Sequence, residues 1–454
     1  MVVLAAGQGK RMHSRLPKVL QPIAAQPMLA HVLATARQLK PEALVVVYGH
    51  GADAVRAQFT ENDLRWAFQE EQKGTGHALL QALNHLSAQE SKVLVLYGDV
   101  PLLQPATLQR MLSHPAERLV LLTQTVQNPK GYGRILRNDA GSIVGIREEK
   151  DADDREKEIL EVNTGIMLMP GQRLRGWLSR LNCDNAQGEY YLTDVVALAV
   201  GDGVTVESEE PGYPWEALGV NDKVQLAQLE RIHQACEAEK LMKEGVTIID
   251  PERLTLRGKV SCGRDVTLDV GVILEGTVVL EDGVSVGAYS IVRNSRLGCG
   301  AEVHPYSMID GSVVGQDNRI GPYARLRPGT ETGHSVHVGN YVEIKNSSMG
   351  EQSKANHLSY IGDSTVGCRV NIGAGTITCN YDGVNKHRTV IGNDVFIGSD
   401  TQLIAPVTVE DGATIGAGST IVTTAPAHQL TLSRVRQTSI PAWRRPRKID
   451  KPKS

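Results

Sequence analysis

Two stretches of this sequence collect side chains suited to phosphate chemistry. Near the start, Leu4-Ala5-Ala6-Gly7-Gln8-Gly9-Lys10-Arg11 passes from an apolar run into a glycine-rich turn with two cations behind it, and Leu16-Pro17-Lys18-Val19-Leu20 adds a lysine next to a proline. Glycine lets backbone N–H groups approach phosphate oxygens, and the cations offset phosphate charge. The turn lacks the G-x-x-x-x-G-K-[ST] spacing of the ATPase P-loop, and taken alone it also reads as an ordinary strand-to-helix turn. Asp99 lies just beyond the apolar run Val93 to Tyr97. A carboxylate there suits Mg²⁺, whose nucleotide sites use one or two carboxylates and leave the rest of the octahedron to phosphate and water; it also suits a plain turn.

The second stretch lies in the C-terminal half. Arg327, Lys345, His357 and Tyr360 fall within 34 residues, in surroundings that are otherwise small and apolar. Cations hold a phosphate, and an imidazole, which titrates near neutrality, removes a proton from an attacking nucleophile. A lone loop histidine is also a common surface residue, so this spacing leaves both readings open.

The elements that must position these residues follow two patterns. Up to about residue 220, β-branched runs such as Ala43 to Tyr48 and Val93 to Tyr97 alternate with helical patterns such as Met28 to Leu39. That alternation predicts a mostly parallel sheet covered by helices, with ligand loops beyond the carboxyl ends of its strands, where Tyr48-Gly49 and Tyr97-Gly98 stand. The run Met1 to Ala6 is short for a strand of about five to six residues, which points to residues missing upstream. Asn221 opens a helical segment to about Glu244, with Gly245 as its stop. The charged run Glu148 to Glu161 reads mainly as a solvated face.

Beyond Gly245, aliphatic–glycine pairs recur in steps of six or eighteen: Val314 to Ile320, Ile320 to Val338, Val366 to Ile372 and Ile397 to Ile415. This hexapeptide period predicts a parallel β-helix with three short strands per turn, the aliphatic side chain pointing inward and the glycine permitting a tight corner after it. Two segments, Asn340 to Tyr360 and Cys379 to Arg388, are expected to interrupt the period and to carry binding loops, since both are rich in polar and basic residues.

The glycine-rich turn, Lys10-Arg11 and Leu16-Pro17-Lys18 together resemble the signature of sugar-1-phosphate nucleotidylyltransferases. Gln69-Glu70-Glu71-Gln72-Lys73-Gly74-Thr75-Gly76-His77, Tyr97-Gly98-Asp99-Val100-Pro101, Gly131-Tyr132-Gly133-Arg134, Glu161-Val162-Asn163-Thr164-Gly165, Lys354-Ala355-Asn356-His357-Leu358 and Thr378-Cys379-Asn380-Tyr381-Asp382-Gly383 narrow it. They resemble the bifunctional N-acetylglucosamine-1-phosphate uridyltransferase and glucosamine-1-phosphate acetyltransferase family over essentially the whole chain. The resemblance implies an α/β fold: a Rossmann-like nucleotidyltransferase domain over 1–221, a linker helix over 222–245, and a left-handed parallel β-helix acetyltransferase domain over 246–454. It implies acetyl transfer from acetyl-CoA to the amine of glucosamine 1-phosphate, then uridylyl transfer from UTP to N-acetylglucosamine 1-phosphate. The products are UDP-N-acetylglucosamine, a precursor of peptidoglycan and lipopolysaccharide, and pyrophosphate.

The resemblance also implies residue roles. Arg11 and Lys18 neutralise the triphosphate, Asp99 and Asn221 hold Mg²⁺, and Leu4, Ala5, Ala6, Gly7, Gln69, Gly74, Thr75 and Tyr97 line the nucleotide, while Gly133, Glu148 and Asn163 hold the N-acetylglucosamine. In the second site His357 is the base, with Glu343 near it, and Arg327, Lys345, Tyr360, Asn371 and Lys386 hold the acetyl acceptor. Asn380 positions the amine and, with Tyr381, Ser399, Ala417 and Arg434, meets acetyl-CoA. Arg444, Arg445, Arg447, Lys448, Lys451 and Lys453 make a basic tail that reads either as a contact for CoA phosphates or as a solvated terminus. A homotrimer with sites between subunits is implied as well.

Composition sets the outer bounds. With 48 basic against 51 acidic residues, charge gives no reason to expect nucleic acid as a partner. The six cysteines form no CxxC, so they are expected to be reduced thiols and not zinc ligands. Neither a secretory signal nor a run of about 18 apolar residues stands out, and a cytoplasmic protein free of the membrane is expected. A single-activity sugar nucleotidylyltransferase whose β-helix only assembles or regulates it is the second reading, and His357 in its motif speaks against it. A non-catalytic subunit is the third, and the presence of Arg11, Lys18, Asp99 and Asn221 speaks against that.

Overall fold

Val2, Leu4, Val45, Val47, Val93 and Val95 pack into one buried cluster, and Val3, Leu44, Val46, Leu94 and Leu96 into another. Successive side chains of a strand point to opposite faces, so these continuous apolar runs belong to a sheet covered on both sides. The computed structural model describes residues 1–87 and 91–446, and the chain divides into two compact units, Met1–Glu237 and Ala238–Ser454. Arg447, Lys448, Lys451 and Lys453 of the basic tail lie outside the described residues.

In the first unit the strand Val2–Leu4 has only three residues, yet it is central. It pairs in parallel with Leu44–Tyr48 on one side, Leu4 opposite Val47, and with Lys92–Tyr97 on the other, Leu4 opposite Tyr97. Leu64–Phe68 continues the sheet beyond Leu44–Tyr48. Beyond Lys92–Tyr97 come the antiparallel strand Glu161–Pro170, then Leu119–Thr125 and Val206–Glu209. Strand order therefore reverses at Val2–Leu4, and the crevice outside the carboxyl ends of its strands is where such a sheet binds ligands. The hairpin Arg134–Arg137 and Ile143–Arg147 joins the sheet through Val162.

The helix Lys223–Lys243 starts two residues later than the pattern suggested. Asp222 Oδ1 accepts from the Gln225 amide at 2.8 Å, and Gln225 Oε1 accepts from the Asn221 amide at 2.7 Å. This capping exchange satisfies free N–H groups at the helix start and fixes Asn221 just outside it.

The second unit is a left-handed parallel β-helix. Its inward residues stack directly, Val303 on Ile320, Ile320 on Val338, Val338 on Ala355 and Ala355 on Ile372, at spacings of 17, 18, 17 and 17 residues. All of these side chains belong to one buried core.

Two expectations are corrected here. The segment Asn340 to Tyr360 is no interruption: Val342, Ile344, Met349, Ala355 and Ile361 keep the inward positions filled, and the coils stay in register through it. What the segment lacks is a valine–glycine or isoleucine–glycine pair, not the fold, since its one glycine, Gly350, follows Met349. Cys379 to Arg388 is a true insertion, because Ile372 stacks on Ile397, 25 residues away. The glycines after the aliphatic residues also do something other than turn the corner. A Cβ on Gly315 would meet the Gly333 carbonyl oxygen at 2.2 Å, so glycine there permits close stacking of coils. Apart from Gly321 (φ 100°), left-handed backbone falls instead on corner residues such as Tyr289, Tyr306, Tyr323 and Tyr341, whose rings stack with centroids 5.5, 5.1 and 5.4 Å apart.

Candidate active sites

At the strand-order reversal of the first unit lies a cleft of about 470 Å³, lined by Leu4, Ala5, Ala6, Gly7, Lys18, Gln69, Gly74, Thr75, Tyr97 and Asp99 together with Gln8, Lys10, Gln72 and Glu189. The ammonium of Lys18 donates to Asp99 Oδ2 and to Asn221 Oδ1, the latter at 3.0 Å. Asp99 is held from the other side as well, since its carbonyl accepts from the Val220 amide at 3.0 Å. Two residues 122 apart in sequence, Asp99 and Asn221, thus aim oxygens at one positive centre. Hard oxygen ligands of this kind fit Mg²⁺. Arg11 is exposed and, among the described residues, has no ion-pair partner.

The walls of the cleft are fixed by amides. Gln69 Nε2 donates to the Gly74 carbonyl at 3.2 Å, and Gln72 Nε2 to the Ala6 carbonyl at 2.7 Å. Thr75 Oγ1 accepts from the Leu192 amide at 3.1 Å. Tyr97 is half-buried, and desolvation together with the charges of Glu148 and Asp99 pushes its phenol well above the usual range, against a hydrogen bond with Thr75. Tyr97 therefore lies near both Asp99 and Glu148.

The Gly133 carbonyl accepts from the Asn163 amide at 2.8 Å, and Asn163 Oδ1 from the Gly165 amide at 3.1 Å. Glu148 Oε1 accepts from the Thr193 hydroxyl at 2.9 Å. Burial raises the Glu148 carboxyl above its ordinary value despite that bond, helped by Asp194 and Asp151. Gln72, Glu189 and Thr193 were missed from the sequence, although Gln72 stands inside a motif already noted.

In the β-helix, strands Glu343–Lys345, Tyr360–Gly362 and Ile377–Cys379 stack on successive coils, with Glu343 opposite Tyr360 and Tyr360 opposite Ile377. This brings Lys345 and Tyr360 beside Asn380 and Lys386, which open and close the inserted loop. The Lys345 ammonium faces that of Lys386 and holds it below its ordinary value. Asn380 Nδ2 donates to Asp363 Oδ2 and lies 3.5 Å from the Tyr360 hydroxyl, while Asp363 Oδ1 accepts from Asn346 Nδ2 at 2.6 Å. Arg327 Nη1 donates to Glu343 Oε1 at 2.7 Å.

Glu343 is thus engaged by Arg327, and the partner of the His357 ring is Asn340, whose Oδ1 is 3.0 Å from Nδ1. With an oxygen facing it, Nδ1 is the ring nitrogen that carries a proton. Asn371 lies on the same sheet as His357, between Lys354 and Phe396, and not on the sheet of Lys345 and Tyr360. Ser399, Ala417 and Arg434 come together on adjoining coils: Arg434 Nη1 donates to the Ala417 carbonyl and the Gly418 amide to the Ser399 carbonyl, both at 2.8 Å. Tyr381 is exposed on the loop, its hydroxyl donating to the Gly383 carbonyl at 2.5 Å.

Residues 1–159 match the model of the MobA-like NTP transferase domain, and residues 388–423 that of the bacterial transferase hexapeptide with six repeats. A protein of Cupriavidus taiwanensis named Bifunctional protein GlmU is 60% identical over 452 residues, 99% of each chain. One of Cupriavidus pinatubonensis with the same name is 58% identical over 447 residues, 98% of each chain. The chain belongs to this family of bifunctional uridyltransferases and acetyltransferases. As a member it is a two-activity transferase of UDP-N-acetylglucosamine synthesis, with nucleotidyl transfer in the NTP transferase fold and acetyl transfer in the hexapeptide repeats.

Proposed function

We propose that uridylyl transfer is performed at the cleft of Lys18, Asp99 and Asn221 within a domain spanning 1–221, and acetyl transfer at the cluster around His357 and Asn380 in a domain spanning 246–454, with 222–245 as linker. The convergence of the Asp99 and Asn221 oxygens on one cation at the strand-order reversal carries the first assignment. Those two side chains would hold Mg²⁺, which when bound offsets charge on the triphosphate and the departing pyrophosphate. The sugar phosphate oxygen attacks the α-phosphorus of UTP in line, and the bond to pyrophosphate breaks. Lys18 and Arg11 stabilise the charge that gathers there, and Gly133, Glu148 and Asn163 orient the sugar.

In the acetyl site Arg327, Lys345 and Lys386 hold the phosphate of glucosamine 1-phosphate, with Tyr360 and Asn371 on the sugar. His357 takes a proton from the amine as its nitrogen attacks the thioester carbonyl, and the CoA thiolate leaves. Asn380 positions the amine. Tyr381, Ser399, Ala417 and Arg434 seat the coenzyme. The parallel β-helix and its hexapeptide match support a homotrimer, which light scattering would report as three times the chain mass. UTP and acetyl-CoA as substrates support a cytoplasmic enzyme, and among the described residues no helix is long and apolar enough to cross a membrane.

The test is a paired assay. Pyrophosphate is followed from UTP and N-acetylglucosamine 1-phosphate, and free thiol from acetyl-CoA and glucosamine 1-phosphate, in the wild type, Asp99→Ala and His357→Ala. Each variant is expected to lose its own activity alone; loss of both activities in either variant overturns the assignment.

A further inference from the structure

Asp363 has no part in the roles above, yet its side chain is placed as if by requirement. It is 5% exposed, sits on a left-handed corner (φ 49°), and receives an amide N–H on each oxygen, from Asn346 and from Asn380. The carboxyl is set by opposing influences. Burial favours the neutral acid, but the hydrogen bonds from Asn346 and Asn380 and the nearby Lys345 and Lys386 outweigh it and hold the group below its ordinary value. Asp363 is therefore an anion, and an ionised carboxylate only accepts hydrogen bonds.

That property decides which way Asn380 points. An asparagine side chain has a donor end and an acceptor end of nearly equal shape, and nothing but its partners distinguishes them. Facing an acceptor-only group, Asn380 must turn its NH₂ inward. Its second N–H is directed at the Tyr360 hydroxyl, and among the described residues no donor reaches its Oδ1. We propose that Asp363 is a positioning residue of acetyl transfer: it locks the Asn380 amide so that its carbonyl oxygen, and not its NH₂, is presented to an N–H of the acceptor amine. This rests on the reading that Asn380 meets that amine. An amine nitrogen that must attack with its lone pair needs acceptors for its protons; an NH₂ aimed at it would compete for the lone pair instead.

The experiment uses the full chain and compares Asn380→Ala, Asp363→Asn and the exchanged pair Asp363→Asn/Asn380→Asp, with thiol release as readout. In Asp363→Asn the 363 side chain can no longer accept from both neighbours, and Asn380 loses its fixed direction. In the exchanged pair, residue 363 keeps an oxygen for Asn346 and donates N–H to residue 380, whose other oxygen again faces outward as an acceptor. The expected result is a fall of kcat by about tenfold or more in Asp363→Asn, the loss of one fixed hydrogen bond. KM for acetyl-CoA should change less than about threefold, and the exchanged pair should recover most of kcat. A residue with only a structural duty would not be rescued by placing a carboxylate at 380. An exchanged pair no better than Asp363→Asn, or Asp363→Asn at wild-type kcat, overturns the proposal while leaving Asn380 in place. Wild-type kcat in Asn380→Ala overturns the reading of Asn380 itself. If Asp363→Asn does not fold, the exchanged pair, which keeps the bonds of residue 363 to Asn346 and to residue 380 and lets the Tyr360 hydroxyl donate to residue 380, still decides: low kcat in that variant rejects the proposal.

Discussion

The Lys18 ammonium is ion-paired with the Asp99 carboxylate, although 81 residues separate them, and the same ammonium reaches Asn221. In the proposed reading, the ammonium assigned to phosphate is thus paired with both side chains assigned to the divalent cation. Replacing Lys18 by Ala is expected to slow pyrophosphate formation about 100- to 1,000-fold, the usual cost of losing one preorganised charge at a transferring phosphoryl group. Thiol release by the same protein should be unchanged, and an effect on both assays would count against separate sites.

Glu148 gives a dependence on pH. Burial opposes its charge, so its carboxyl titrates above the ordinary value. The acidic limb of kcat/KM for N-acetylglucosamine 1-phosphate should lie higher than a free glutamate would place it, and Glu148→Gln should move that limb to lower pH. The stability effect has the matching sign: with the folded value raised, the contribution is present at low pH and is lost as pH rises through the folded value. Thermal melts of the wild type and Glu148→Gln across that interval check it.

For the second site, His357→Ala is expected to reduce thiol release about 10²- to 10⁴-fold, the range of a general base. Asn340→Ala removes the ring's partner but not the ring, and should cost about tenfold or less. A larger loss in Asn340→Ala than in His357→Ala would reverse the roles assigned to the two.

Gly315→Ala tests the stacking of coils. The new methyl group would be driven into the Gly333 carbonyl, and overpacking of this kind costs about 1–3 kcal/mol. A lowered melting transition with unchanged pyrophosphate formation is expected; an unaltered transition would show that the coils can part there without cost.

Much of this was legible beforehand because period is visible in a linear string. The runs around Val45 and Val95 are apolar at every position, which betrays a sheet covered on both faces, and Ile320, Val338 and Ile372 mark their coils by spacing alone. The failures have a common cause. Asn340 to Tyr360 reads as a break because it holds no valine–glycine or isoleucine–glycine pair, whereas the fold depends on Val342, Ile344 and Ala355, which are still in phase. Asn340 and Asp363 could not be found, because what matters about each is a partner 17 residues away on the next coil. Lys18, Asp99 and Asn221 carry no local sign of one another; only the reversal of strand order brings them together.

The eight residues by which one coil exceeds its 17-residue neighbour enter between rungs that still meet, Ile372 on Ile397. The stacking of the coils is thereby independent of what the insert carries: the loop can change in length and sequence while the rungs on either side of it keep their partners.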